Sequence, residues 1–176
     1  MKNQLKNYRF IFVPLALGII LPSLIISWVT INLLGQYSFS PLDIIRSAIS
    51  GYTSQFDLLY LSARYTNSYL ALVFSMITYI TSIAMMILSI GWKKNESKII
   101  LIAGILAMTS GLLWIYTIES FKINFIQTAI SAGGIIGEEW KGRESIVANS
   151  IVIMGFGHYL VILSGTISIL AYLWRN

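Results

Sequence analysis

The chain has no cysteine. That excludes disulfides, a thiolate nucleophile and every cysteine-ligated zinc or iron–sulfur centre. Charge is nearly as scarce. Only 11% of the 176 residues are Asp, Glu, Lys or Arg, where a soluble domain carries roughly 25%. There is one histidine, His158. The chain shows no Walker motif, no glycine-rich dinucleotide turn and no paired intramembrane carboxylates, so no catalytic constellation is visible and an enzyme acting alone is not expected. The net charge of +5 does not point to nucleic acid, because the basic residues sit beside apolar runs.

What is present is hydrocarbon. The chain is 56% hydrophobic with a mean hydropathy of +0.75, more apolar surface than 176 residues can enclose in one aqueous core. Four runs without Lys, Arg, Asp or Glu approximate the ~20 residues needed to cross a bilayer. They are Phe10–Leu34, Tyr69–Trp92, Ile99–Ile118 and Val147–Trp174. In lipid each must satisfy its own backbone, so each is expected to be a helix, the first bent by Pro14 and Pro22. The first run is too long for a cleaved signal core.

Lys2, Lys6 and Arg9 precede the first run, Lys93, Lys94 and Lys98 separate the second and third, and Arg175 follows the fourth. The other two loops are charge-balanced or slightly acidic. The positive-inside rule then places both termini and the short middle loop in the cytoplasm of a multi-pass cell-membrane protein. The sequon at Asn95 falls on that inner side and is discounted.

The chain repeats itself. Asp43–Ser50 (DIIRSAIS) reads almost as Asn124–Ser131 (NFIQTAIS). A shift of 82 carries Asn67-Ser68 onto Asn149-Ser150, Phe74 onto Phe156, Ser82 onto Ser164 and Trp92 onto Trp174. A shift of 86 carries Gly18 onto Gly104 and Trp28 onto Trp114. The expectation is an all-α integral membrane protein, a single four-helix domain over 1–176. It is built as a parallel duplication of helix, outer loop and helix, spanning 10–92 and 99–174.

Each repeated octet is expected to be a short amphipathic helix in an outer loop. Ser40, Pro41 and Asp43 form a helix start. Leu42, Ile45 and Ile49 then share one face, as do Ile123, Ile126 and Ile130 in the second copy. Asp43 and Arg46, and Asn124 and Gln127, mark the polar sides. Gly51-Tyr52 and Gly133-Gly134 are the expected stops. Asn67 and Asn149 are expected to cap the second and fourth spans.

Trp28, Trp92, Trp114 and Trp174 lie near span ends and are expected to anchor them at headgroup depth. Ala103, Ala107 and Gly111, with Gly157 and Gly165, give the third and fourth spans smooth faces for helix packing or self-association. His158 lies within the fourth run. An ionisable side chain there is a candidate polar site, with Ser75, Thr78 or Thr109 as hydrogen-bonding neighbours. The shift pairs it with Met76, a combination that can ligate haem iron, although nothing else in the sequence asks for a cofactor. The acid-rich stretch from Glu138 to Glu144 is expected to be a solvated loop.

The layout of two in–loop–in units, each with a short outer helix, resembles two-pore-domain potassium channels in outline. Ser50-Gly51-Tyr52 and Ser131-Ala132-Gly133-Gly134 are not their Thr-Val-Gly-Tyr-Gly filter. The four-helix outline is also similar to the claudin-type tetraspans, without their outer-loop Trp and Cys pattern. Neither family is assigned. The expected role is a non-catalytic subunit of a larger membrane complex, with lipid and other membrane subunits, or further copies of itself, as partners. A small homo-oligomeric channel or carrier is the alternative, and a redox or quinone-linked subunit using His158 a third. The Ile-rich, Cys-free composition suggests a prokaryote.

Overall fold

The computed structural model describes residues 2–32, 36–50, 66–91, 96–131, 142 and 144–174. Trp92, the Lys93-Lys94 pair, the expected helix stops at Gly51-Tyr52 and Gly133-Gly134, and Glu138 to Lys141 lie outside these.

The chain is mostly helical, with one small sheet. In order it forms α1 (Lys2–Ile20), a single 3-10 turn (Pro22–Leu24), β1 (Val29–Asn32), β2 (Gln36–Phe39) and α2 (Pro41–Ser50). Then come α3 (Thr66–Gly91), α4 (Glu96–Ser131), α5 (Glu144–Ile151), β3 (Val152–Met154) and α6 (Gly157–Leu173). Among the described residues two helices carry segments long and apolar enough to cross a membrane: Tyr69–Ile90, 22 residues, within α3, and Lys98–Thr128, 31 residues, within α4. The apolar helices Ile11–Leu24 and Gly157–Leu173 are shorter.

Three sequence expectations change. The first apolar run does not continue as helix to Leu34. Leu21 N donates to Leu17 O at 3.0 Å. Pro22 has no N–H to donate to Gly18, so the α-helical ladder stops there. The β-branched Val29, Thr30 and Ile31 then enter a strand.

The fourth run does not begin as one helix at Val147. Glu144–Ile151 is a separate helix, Val152–Met154 is a strand, and the long helix starts at Gly157. Asn149 therefore lies inside α5 and caps nothing in α6.

The third run and the second repeated octet are not two helices but one, the 36 residues of α4. No proline or glycine stands between Ile118 and Ser131, and Lys122 pairs with Glu119 one turn back at 2.9 Å, so nothing interrupts propagation. The first octet does form its own helix. Ser40 N and Oγ both donate to Asp43 Oδ2, at 2.9 and 2.6 Å, and Asp43 N donates to Ser40 Oγ at 3.3 Å, a closed capping box. Its buried contact is Ile44, however, and Ile49 is 82% exposed.

The sheet has the order β2-β1-β3, antiparallel throughout. Val29 faces both Phe39 and Met154, and Ile31 faces both Tyr37 and Val152. Trp28 N donates to Phe39 O and Gly155 N donates to Trp28 O, each at 2.8 Å. The sheet thus ties the end of α1 to the start of α6.

Below it, α4 lies between α3 and α6, and α1 packs on α6. Hydroxyls cross the seams. Ser75 Oγ donates to Ser110 O and Ser110 Oγ to Ser75 O, both at 3.0 Å. Ser82 Oγ donates to Ala103 O at 2.8 Å, and Ser164 Oγ to Ala16 O at 2.8 Å.

Glycine does the rest by steric permission. A Cβ on Gly104 would lie 2.9 Å from Gly165 O, and one on Gly165 would lie 2.8 Å from Gly104 O. The helices meet backbone to backbone at this point.

The core is largely apolar, with several small hydroxyls and one imidazole buried in it, and the exterior is apolar as well. Ser23, Ser75, Ser82, Ser110, Ser164 and His158 are fully buried. Facing outward are Phe74, Ile77 and Ile80 on α3, Ile102, Ile105 and Leu112 on α4, and Leu163 and Leu170 on α6.

Candidate functional site

Two places concentrate polar groups. One is in the core, where the sheet meets the bundle. Trp28 and Trp114 are both buried, with ring centroids 5.0 Å apart at 86°, and Tyr79 meets Trp28 edge-on at 5.1 Å. Each polar tip in this aromatic cluster has a partner, as burial requires. Trp28 Nε1 donates to Ser23 O at 2.8 Å. Trp114 Nε1 donates to Trp28 O at 3.3 Å. The Tyr79 hydroxyl contacts Ser23 Oγ at 2.7 Å and Ile20 O at 3.1 Å. The expectation that Trp28 and Trp114 anchor span ends is corrected, because both rings are buried and meet edge to face inside the chain. Trp174 is exposed and stacks on Phe12.

His158 sits beside this cluster, in the first turn of α6. Gly157 lets the helix start directly against Trp28: a Cβ there would run into the indole ring. His158 is completely buried, its ring lies over Tyr159 at 3.8 Å, and neither ring nitrogen has a hydrogen-bond partner among the described residues.

The expected neighbours do not serve it. Ser75 is bonded to Ser110. Thr78 donates to Phe74 O and Ser75 O at 2.8 and 3.0 Å. Thr109 is exposed, and Met76, though buried, is not within hydrogen-bonding reach of either nitrogen. Among the described residues no group of three or more His, Asp or Glu gathers to hold a metal.

The small residues expected to permit close packing lie inside the chain. Ala103 and Ala107 are fully buried. A Cβ on Gly111 would meet Ile162 and His158 O of α6, and Gly165 meets Gly104.

The second place lies in the C-terminal part of α4, a helix of 36 residues about 54 Å long, where α5 packs on it. Between them lies a cleft of about 660 Å³. Ile123, Ile126 and Ile130, one face of α4, give its apolar wall with Ala148 of α5. Its polar groups are Glu119, Lys122, Gln127, Ser131 and Asn149.

Lys122 is the unusual member. Its side chain is only 8% exposed, and its ammonium donates to Glu119 Oε1 at 2.9 Å and to Asn149 Oδ1 at 3.1 Å. Glu119 is the wetter partner, at 49%.

Of the polar octet residues, Gln127 enters this cleft, Asn124 donates to Ser120 Oγ at 3.3 Å, Asp43 caps α2, and Arg46 is exposed. In the sequence Glu119 and Lys122 read only as loop charges. Their i,i+3 spacing was the available signal, and it becomes informative only once the helix is known to continue through them.

No protein-family model matches the chain, and no curated protein matches it.

Proposed function

We propose that the chain is a multi-pass protein of the cell membrane, crossing it four times as two helix–loop–helix units with both termini in the cytoplasm. In this reading it serves as a non-catalytic subunit of a larger membrane assembly. The observation that carries the proposal is the apolar exterior. Only 39% of the apolar window in each of α3 and α4 is buried inside the chain. The remaining isoleucine and leucine surface is too extensive for water to solvate without association. Hydrocarbon is the solvent that removes the cost.

The short helices α1 and α6 fit the same membrane, because the sheet satisfies the backbone where each stops. Two further contacts support an internal two-fold. Ser82 and Ser164, paired by the shift of 82, make the same kind of bond to backbone carbonyls of the neighbouring helix, at Ala103 and Ala16. Trp28 and Trp114, paired by the shift of 86, meet ring to ring. The subunit role rests on a close-packed interior with the α4/α6 seam shut at Gly104 and Gly165, which favours a scaffold over a conduit.

The absence of native cysteine makes the topology directly testable. Single-cysteine variants at Lys98 and Gln127 are treated on intact cells with a membrane-impermeant maleimide. Gln127→Cys should label and Lys98→Cys should not; the reverse pattern sinks the arrangement. Gentle detergent extraction followed by mass spectrometry should recover unlike subunits in fixed proportion. Recovery of this chain alone, with ion or solute flux in liposomes, would establish the channel or carrier reading instead. The same preparation should show no Soret band, since no haem is proposed at His158.

A further inference from the structure

We infer that the cleft between α4 and α5 is a binding site for a single-chain amphiphilic carboxylate, such as a fatty acid, with Lys122 as its anion-binding group. The argument starts from the cost of burying an ammonium. A lysine shielded from water to this degree must recover its lost hydration from fixed partners. Lys122 carries three N–H donors, and two acceptors are present among the described residues, Glu119 and Asn149. One donor remains for a ligand.

The pairing is also lopsided. Lys122 is buried, whereas Glu119 is half-exposed and reaches the ammonium through one oxygen. Glu119 is therefore the exchangeable half of the pair. An incoming carboxylate can take the remaining donor or replace Glu119 with no further desolvation of the lysine. A charge-assisted bond of this kind is among the stronger polar contacts available. The side-chain amides of Asn149 and Gln127 add donors at the same cleft.

The rest of the lining is aliphatic except for Ser131 at the far end. Ile123, Ile126 and Ile130 line one flank of α4, and Ala148 closes the opposite side. From Glu119 to Ser131 the wall runs about 18 Å along the helix, the scale of a medium-length alkyl chain, and the cleft volume falls in the range of small-molecule sites.

The chemistry of the lining selects the occupant: one buried ammonium, Lys122, stands beside an aliphatic flank at Ile123, Ile126 and Ile130, in a cleft of about 660 Å³ with room for a single alkyl chain. A single chain whose carboxylate meets Lys122 and whose tail lies along the isoleucines fits. The inference rests on the membrane reading proposed above, but not on the subunit role.

The test uses the full chain in phosphatidylcholine nanodiscs and a dodecanoate carrying a photoreactive diazirine near its tail. Irradiation and peptide mass spectrometry should place the label in 119–131 and 144–151. The methyl ester of the probe should label those peptides at least ~10-fold less, the loss expected when a charged hydrogen bond is removed. Lys122→Met should reduce labelling by the same factor. Glu119→Gln should keep or raise it, because the competing carboxylate is gone; this variant decides the matter if Lys122→Met does not fold.

Equal labelling by the ester, or label spread over the lipid-facing surface of 69–90, overturns the inference. So does a fall in labelling with Glu119→Gln. Displacement of the probe by phosphatidylglycerol, but not by unlabelled dodecanoate, would assign the site to a phospholipid headgroup and overturn the single-chain assignment.

Discussion

The two halves of the chain are written alike and folded differently. In the first, α1 stops at Ile20, a strand pair follows, and α2 stands as a separate helix. In the second, the positions matching all of this lie within one uninterrupted helix, α4. At the other end the roles reverse: α3 runs continuously from Thr66, whereas its counterpart is divided into α5, β3 and α6.

The difference teaches that sequence similarity carried the packing residues but not the punctuation. Pro22 and Pro41 have no equivalents in α4. Gly155 and Gly157, where the chain passes against Ser27 and Trp28, have none at the matching positions of α3, Val73 and Ser75. One half supplies the sheet's hairpin and the other the strand that pairs with it, so the asymmetry is itself what joins them.

This comparison can be broken in graded ways. The largest effect is expected at the aromatic contact shared by both halves. Trp28→Ala and Trp114→Ala should each cost about 3–5 kcal/mol in unfolding experiments in detergent, because each removes a buried ring and leaves polar partners behind. Unequal losses would show that one half dominates the core.

Ser120→Pro introduces into α4 the interruption that Pro22 makes after α1. It should cost about 3 kcal/mol and lower the helical circular-dichroism signal, with the damage confined to the C-terminal part of α4 and its cleft.

Gly104→Val and Gly18→Val test matched positions in opposite settings. A side chain at 104 meets Gly165 and Ile169, and nothing lies within 4 Å of one at 18. The first should lose about 1–3 kcal/mol and the second less than about 0.5 kcal/mol, read as shifts in the unfolding midpoint.

Ser82→Ala and Ser164→Ala should produce the smallest changes, about 0.6 kcal/mol each. Their near equality would sharpen the proposed two-fold, and a large inequality would weaken it.

Much of the helical content was legible in the sequence, and so was the start of α2, because Ser40 and Asp43 act locally: the capping box needs only residues three apart. The spacing of Ala103, Ala107, Gly111 and Gly165 suited either helix packing or self-association, and the structure shows these residues buried inside the chain. The orientation of α2 did not follow, since its isoleucines are distributed around the helix and the neighbouring turn selects Ile44. The aromatic cluster was misread for a similar reason. Tryptophan near a span end suits an interface as well as a core, and its depth depends on what stands opposite. The candidate sites were half legible. His158 is conspicuous as the only histidine, but Lys122 becomes conspicuous only when α5 folds over it.

By itself the sequence determined the apolar character of this protein, the helix α3 and the helical character of the apolar first part of α4. These follow from composition and from contacts a few positions apart along the chain. Tertiary structure alone decided that Val152–Met154 would join a strand 121 to 125 residues earlier, that two tryptophans would meet, and that a lysine would be drawn out of water beside an exposed glutamate. Each depends on a surface that exists only when distant segments are brought together, because a strand edge, an aromatic face or a desolvated charge has no local partner that could settle its place.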